Sequence, residues 1–141
     1  GRPRDSGATL GFKSRMVFTG PVDDTSIYYQ VMDLLILPTM REGFPNVVLE
    51  ASASGIAVIA SDATGSIDSV INGHTGLVFE KNKIDSLVSA SKTLLERPNL
   101  RVALGVNGRK WVAKHFDQKE VTLKQVNFYT SKLLESSGEA P

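Results

Sequence analysis

The sequence predicts an α/β fold built on a doubly wound parallel sheet, and three observations lead there. Short apolar runs alternate with helical stretches, the runs are continuous rather than alternating in polarity, and the chain is long enough for one buried core. Runs at residues 16–19, 34–37, 57–60 and 76–79 are rich in β-branched or aromatic residues, and each ends in a polar or Gly/Pro-containing turn. Unbroken apolar character fits strands covered on both faces, as parallel sheets require. Helical stretches near 25–33, 46–54 and 66–72 lie between them, which gives the βαβ alternation of a layered fold. With 141 residues and 41% hydrophobic content, the chain can bury most of its apolar surface in a single domain.

Beyond the fourth run there is no strand signal. Residues 84–95, 100–114 and 121–134 carry apolar side chains at spacings of three and four, so an all-helical tail is expected. Pro98 and Asn99 separate the first two helices, and Asp117 suits the N-cap of the third. Gly105, Val106, Asn107 and Gly108 read as an irregularity or break in the second. Residues 1–14, rich in Gly, Arg and Ser, read as a tail or lead-in. Residues 15–136 form the domain, and 137–141 a disordered tail. Sheets of this kind commonly have more than four strands, so one or two leading strands are expected upstream of Gly1.

Composition excludes several function classes. Lys and Arg number 16 against 15 acidic residues, and a net charge of +1 provides no field to attract nucleic acid. The absence of cysteine removes disulfides, thiol nucleophiles and thiolate metal sites. No apolar run approaches the roughly 20 residues that span a bilayer, and the start lacks a secretory apolar core, so a cytoplasmic location is expected. His74 and His115 lack metal-ligand spacing and read as surface residues, and Asp23 and Asp24 are adjacent rather than spaced as Asp-x-Asp. No metal is expected. The chain has no Gly-x-Gly-x-x-Gly, P-loop or Gly-x-Ser-x-Gly motif, which disfavours dinucleotide oxidoreductases, P-loop NTPases and α/β-hydrolases. Trp111, Phe116, Phe128 and Tyr129 read as packing residues.

The chemistry-bearing stretch runs from Pro38 to Ala51, where a strand hands over to a helix. Ligands of open α/β sheets bind outside the carboxyl ends of strands, which places Glu42 and Gly43 at the expected crevice. Pro45 suits a first helical turn, and the N–H groups of Asn46 and Val47 would then face the crevice, where a helix N-terminus favours an anion such as diphosphate. Glu50 is the one charge in a helix that otherwise reads Val47, Val48, Leu49, Ala51, Ser52 and Ala53. A carboxylate there requires hydrogen-bond donors, and two ribose hydroxyls would satisfy both of its oxygens. Two readings stand at this point. Either Glu42 and Glu50 meet a sugar and a ribose, or Glu42 is a solvated loop residue and Glu50 pairs with buried backbone or an arginine.

The segment Glu42-Gly43-Phe44-Pro45-Asn46-Val47-Val48-Leu49-Glu50-Ala51-Ser52-Ala53-Ser54-Gly55 resembles the Glu-x7-Glu motif of retaining glycosyltransferases of the two-domain GT-B type, in family 4 or glycosyl transferases group 1. Four further blocks fit in order: Phe18-Thr19-Gly20-Pro21-Val22, Asp33-Leu34-Leu35-Ile36-Leu37-Pro38-Thr39, Ala57-Val58-Ile59-Ala60-Ser61, and Asn72-Gly73-His74-Thr75-Gly76-Leu77-Val78-Phe79. The resemblance covers about residues 15–134. It implies a Rossmann-like C-terminal half of a GT-B fold, with Glu42 on the donor sugar and Glu50 on the ribose. Amides near Gly43, Phe44, Asn46 and Val47 would meet sugar and diphosphate, with Pro45 opening the helix and the main chain at Gly20 and Val22 near the base. The same resemblance implies a nucleoside diphosphate sugar as substrate, no cofactor, and an N-terminal acceptor domain as partner, with peripheral membrane association of the whole enzyme and self-association of the fragment both compatible. Departures exist. Thr64-Gly65-Ser66-Ile67-Asp68 stands where the family commonly has Gly-Gly-x-x-Glu, so no role passes to Asp68. Nothing in residues 1–14 resembles the family's basic segment for the leaving diphosphate, although Arg2, Arg4 and Lys13 are basic. A non-catalytic nucleotide-sugar-binding module and a GT-B-like epimerase or structural domain are the alternatives.

Overall fold

A computed structural model describes residues 13–39, 46–63 and 67–116. Their elements are a single helical turn α1 (Ser26–Tyr29), strand β1 (Leu34–Leu37), helix α2 (Asn46–Ala53), strand β2 (Ala57–Ser61), strand β3 (Gly76–Phe79), and helices α3 (Ile84–Glu96) and α4 (Pro98–His115). The three strands form one parallel sheet in the order β1-β2-β3, with Leu35 opposite Val58 and Ile59 opposite Leu77. This is the expected α/β layer architecture.

Alternation along β2 divides the core. Val58 and Ala60 face one side, where they pack with Tyr29, Val48, Ala51, Ile56 and Val70, while Ala57 and Ile59 face the other, with Phe79, Leu94 and Leu104. Helix α2 and the α1 turn therefore cover one face and α3 with α4 the other. Every residue of β2 is buried, which explains its unbroken apolar sequence.

Several sequence expectations are corrected. Residues 16–19 form no strand, and Met16, Val17 and Phe18 are exposed. A run of β-branched residues becomes a strand only when a neighbouring edge accepts its backbone groups, and among the described residues none does. The helix expected over 25–33 is only α1, because the N–H groups of Val31 and Met32 both turn back to the Tyr28 carbonyl and redirect the chain into β1. The helix expected over 66–72 is a 3₁₀ turn at Ile67–Ser69. Beyond it, side chains take the backbone partners that a helix would have used: Thr75 Oγ1 accepts from Ile71 N and Asn72 Oδ1 from Val78 N. The expected third tail helix over 121–134, and Asp117, Phe128 and Tyr129 with it, lie outside the described residues.

The break expected at Gly105 to Gly108 is absent. Helix α4 runs through it unbroken, and both glycines are buried in its packed face with Leu104 and Val112. They are there for close approach. A Cβ on Gly105 would collide with the carbonyl group of Gly55, 2.9 Å from its carbon and closer still to its oxygen, whereas one on Gly108 would sit 3.4 Å from Ser52 Cβ and from the Thr75 carbonyl oxygen. Helix α4 therefore crosses the amino end of the sheet, where α2 turns into β2 and the chain enters β3. The geometry separates two substitutions. Gly105→Ala should destabilise the chain by about 1–3 kcal/mol through overpacking against rigid backbone. Gly108→Ala should be near neutral, since ordinary contact is offset by a gain in helix propensity of up to about 1 kcal/mol. Urea denaturation of both variants measures the difference, and equal stability would refute the crossing.

Candidate functional site

Helix α2 follows the carboxyl end of β1, so its N-terminus opens on the crevice side of the sheet. Val48, Leu49, Ala51 and Ser52 are buried, which fixes the helix against the core and leaves Glu50 half-buried at the boundary. Its carboxylate is held by two hydroxyls: Tyr29 OH donates to Oε2 at 2.9 Å and Thr25 Oγ1 donates to the same oxygen at 3.1 Å. Among the described residues Oε1 accepts no hydrogen bond.

The local sequence explains how both hydroxyls come to be available. Thr25 occupies the N-cap of α1, where its hydroxyl would ordinarily cap the turn, yet it makes no cap bond. Asp24 does that instead, Oδ1 accepting from Ser26 N at 2.9 Å, and the hydrogen bonds to Ser26 hold the Asp24 carboxyl below its usual range. Thr25 is released to face Glu50. Tyr29, one turn on, is buried, and its ring packs in the cluster containing Val48 and Ala51. Burial, and then the hydrogen bond to Glu50, push the Tyr29 phenol up to about 12.

The arrangement supplies donors that neither expectation named: Oε2 accepts from two protein hydroxyls. Glu50 does not pair with buried backbone or an arginine among the described residues. Asn46 begins α2, and its Oδ1 is buried with no hydrogen-bond partner, while Val47 beside it is exposed. Gly20 is exposed with φ +67°, and Val22 is half-buried in the segment that leads to Thr25. Glu42, Gly43, Phe44 and Pro45 lie outside the described residues. Asp68, His74 and His115 are exposed. Thr25 and Tyr29 are the residues that motif reasoning missed. The signal that finds them is the need of a carboxylate on an apolar helix for donors, together with a Thr-x-x-x-Tyr spacing just ahead of the adjoining strand.

A separate cavity of about 250 Å³ sits beyond the carboxyl ends of β1 and β3, between Pro38, Thr39, Phe79, Lys81, Ile84 and Leu87. Pro38 and Thr39 open the chemistry-bearing stretch, whereas none of Gly20, Val22, Asn46, Val47 and Glu50 lines it. Among the described residues no group of three or more His, Cys, Asp or Glu could hold a metal ion, and no helix is long and apolar enough to cross a membrane.

Comparison with known proteins bears on this arrangement. Residues 5–111 match the family model described as glycosyl transferases group 1. The chain is 36% identical over 118 residues to the capsular polysaccharide biosynthesis glycosyltransferase CapM of Staphylococcus aureus, covering 84% of this chain and 31% of that protein. It is 32% identical over 111 residues to a GDP-mannose-dependent α-(1-6)-phosphatidylinositol monomannoside mannosyltransferase of Mycolicibacterium smegmatis, covering 72% of this chain and 29% of that protein. Among solved structures it superposes on sucrose-phosphate synthase from Thermosynechococcus elongatus with a TM-score of 0.77 and 28% identity, covering 92% of this chain and 33% of that one. The chain thus spans about a third of the length of these relatives.

The buried phenol gives a measurable signature. Tyr29 is raised in the folded state above the ordinary tyrosine value of about 10, so its contribution to stability is whole below pH ~10 and is lost as pH rises toward about 12. Ultraviolet titration should show a phenol ionising late, only as the alkaline unfolding transition sets in, and Tyr29→Phe should remove that late step. The absence of any late step in the unaltered chain would contradict the placement.

Proposed function

We infer the function from one premise: this chain belongs to the glycosyl transferases group 1 family. We propose that it is the donor-binding, C-terminal half of a GT-B, family 4 glycosyltransferase that moves a sugar from a nucleoside diphosphate sugar to a glycan or lipid-linked acceptor, with retention at the anomeric carbon. The observation that carries this reading is Glu50, a carboxylate on the packed helix that leads from the crevice, gripped through one oxygen and presenting the other. The name of the mycobacterial relative, which specifies GDP-mannose, supports a nucleoside diphosphate sugar as donor, and that of the staphylococcal relative supports a role in cell-surface polysaccharide synthesis.

In this reading Glu50 Oε1 accepts a ribose hydroxyl, and the first amides of α2, at Asn46 and Val47, stabilise the diphosphate through the helix N-terminus. The amides of Gly43 and Phe44 extend that contact, Pro45 opens the helix without spending a donor, and Glu42 accepts from hydroxyls of the donor sugar. The segment through Gly20 and Val22 meets the base. Charge developing on the leaving diphosphate is met by oriented N–H groups rather than a metal. The acceptor and a basic pair for the diphosphate come from segments outside this chain, in an enzyme that works in the cytoplasm at the membrane face.

Three measurements test the reading. In the intact enzyme, Glu50→Ala should weaken nucleoside diphosphate binding by about 1.5–3 kcal/mol in calorimetry, the scale of a hydrogen bond to a charged group. Unchanged affinity would refute the ribose contact. Glu42→Ala should spare the bare nucleotide and depress turnover, since its partner is the transferred sugar; equal loss of nucleotide affinity would contradict that role. Residues 1–141 alone should give no detectable transfer, because positioning the acceptor supplies about 7–11 kcal/mol of the barrier reduction and this chain holds only the donor. Robust donor-dependent transfer by this chain would overturn the assignment.

A further inference from the structure

We propose that Thr25 and Tyr29 are positioning residues that set ribose recognition by Glu50, making the α1 turn a specificity element for ribonucleotide over deoxyribonucleotide donors. The inference rests on the donor-binding reading of Glu50 given above and adds to it which part of the nucleotide is read and what holds the reader in place.

Each hydroxyl has a single proton to donate, and a carboxylate oxygen has two lone pairs. Thr25 Oγ1 and Tyr29 OH both lie within hydrogen-bond distance of Oε2, at 3.1 and 2.9 Å, and together hold that oxygen. Among the described residues nothing donates to Oε1, which is the oxygen left to an incoming diol. A carboxylate free in solution turns about its last bond and offers either oxygen, but this one is fixed from outside its own helix, by groups that are themselves fixed. Tyr29 is buried among Val48 and Ala51, and Thr25 stays available because Asp24 takes over the cap of α1. Thr25 itself has helical backbone geometry and makes no cap bond, which leaves its hydroxyl for Glu50. A turn that diverts two hydroxyls onto one carboxylate oxygen fixes the direction of the other. Preorganised acceptors discriminate against a ligand that lacks the matching hydroxyl more strongly than mobile ones, because the mobile group re-solvates while the fixed one stays unpaired.

The test compares Tyr29→Phe, Thr25→Val and Thr25→Ser with the unaltered intact polypeptide. Calorimetric titration uses UDP and GDP, each beside its 2′-deoxy and 3′-deoxy forms. The unaltered protein should prefer the ribonucleotide to at least one deoxy form by about ten-fold or more, the effect expected of one hydrogen bond to a charged group. Tyr29→Phe and Thr25→Val should shrink that ratio several-fold, mainly by weakening the ribonucleotide, whereas Thr25→Ser, which keeps the hydroxyl, should restore it. A purely structural role would lower the melting temperature and leave the ratio alone, so the ratio is the deciding readout. Tyr29→Phe retains the ring, and Thr25→Val acts at the half-buried end of the bracket, so the two variants stress the core differently. If the unaltered protein binds nucleoside diphosphates with a clear ribose preference that both variants preserve, this inference is wrong and the donor reading survives. If the unaltered protein binds none of the nucleotides, the donor reading falls and takes this inference with it.

Discussion

The structure depends on one strand with no free side. β2 is hydrogen-bonded to β1 on one edge and β3 on the other, and every one of its residues is buried. Its sequence, Ala57-Val58-Ile59-Ala60-Ser61, mixes small and branched residues, and the small ones let helical layers approach from both sides. Gly76 continues the same constraint into β3, because a Cβ there would strike the Val58 carbonyl and lie 2.9 Å from Val70 Cγ1. Close packing at this centre turns small changes of volume into displacement of backbone, and the crevice helix α2 is tied to it directly through Ile56, whose N–H returns to the Ala51 carbonyl.

Legibility of the sequence followed the source of the signal. β1, β2, β3, α2 and α3 were readable to within a residue or two because their burial is dictated by local pattern: continuous apolar runs for the strands, three-and-four spacing for the helices. The failures have a common cause. Residues 16–19 carry strand composition but lack a ladder partner among the described residues, and the short turns at α1 and Ile67–Ser69 end where side chains or converging N–H groups outcompete helical bonding. The glycines of α4 misled because propensity treats glycine as a breaker, while here the missing Cβ serves contact between helix and backbone.

The site shows the same division. Glu50 stood out in sequence as an isolated charge, but its partners are 25 and 21 residues away and come from a turn too short to announce itself. The isolated charge on an apolar helix implied a need for donors, and for one of its oxygens the protein supplies them itself. A carboxylate so held has one oxygen satisfied by the fold itself, so much of its desolvation is borne by folding.

The crossing of α4 at the amino end of the sheet has a consequence for how such a chain can change over generations. Backbone against backbone, as at Gly105 and Gly55, tolerates almost no variation, because no rotamer can relieve a clash with a carbonyl. The Thr25, Tyr29 and Glu50 cluster is built instead from side chains on a turn and a helix face, which can be exchanged while the strands stay in register. Rigidity and adaptability are thus housed in two kinds of contact around the same three strands. A lineage could exchange such side chains while the backbone-to-backbone contact keeps the scaffold folded through every intermediate.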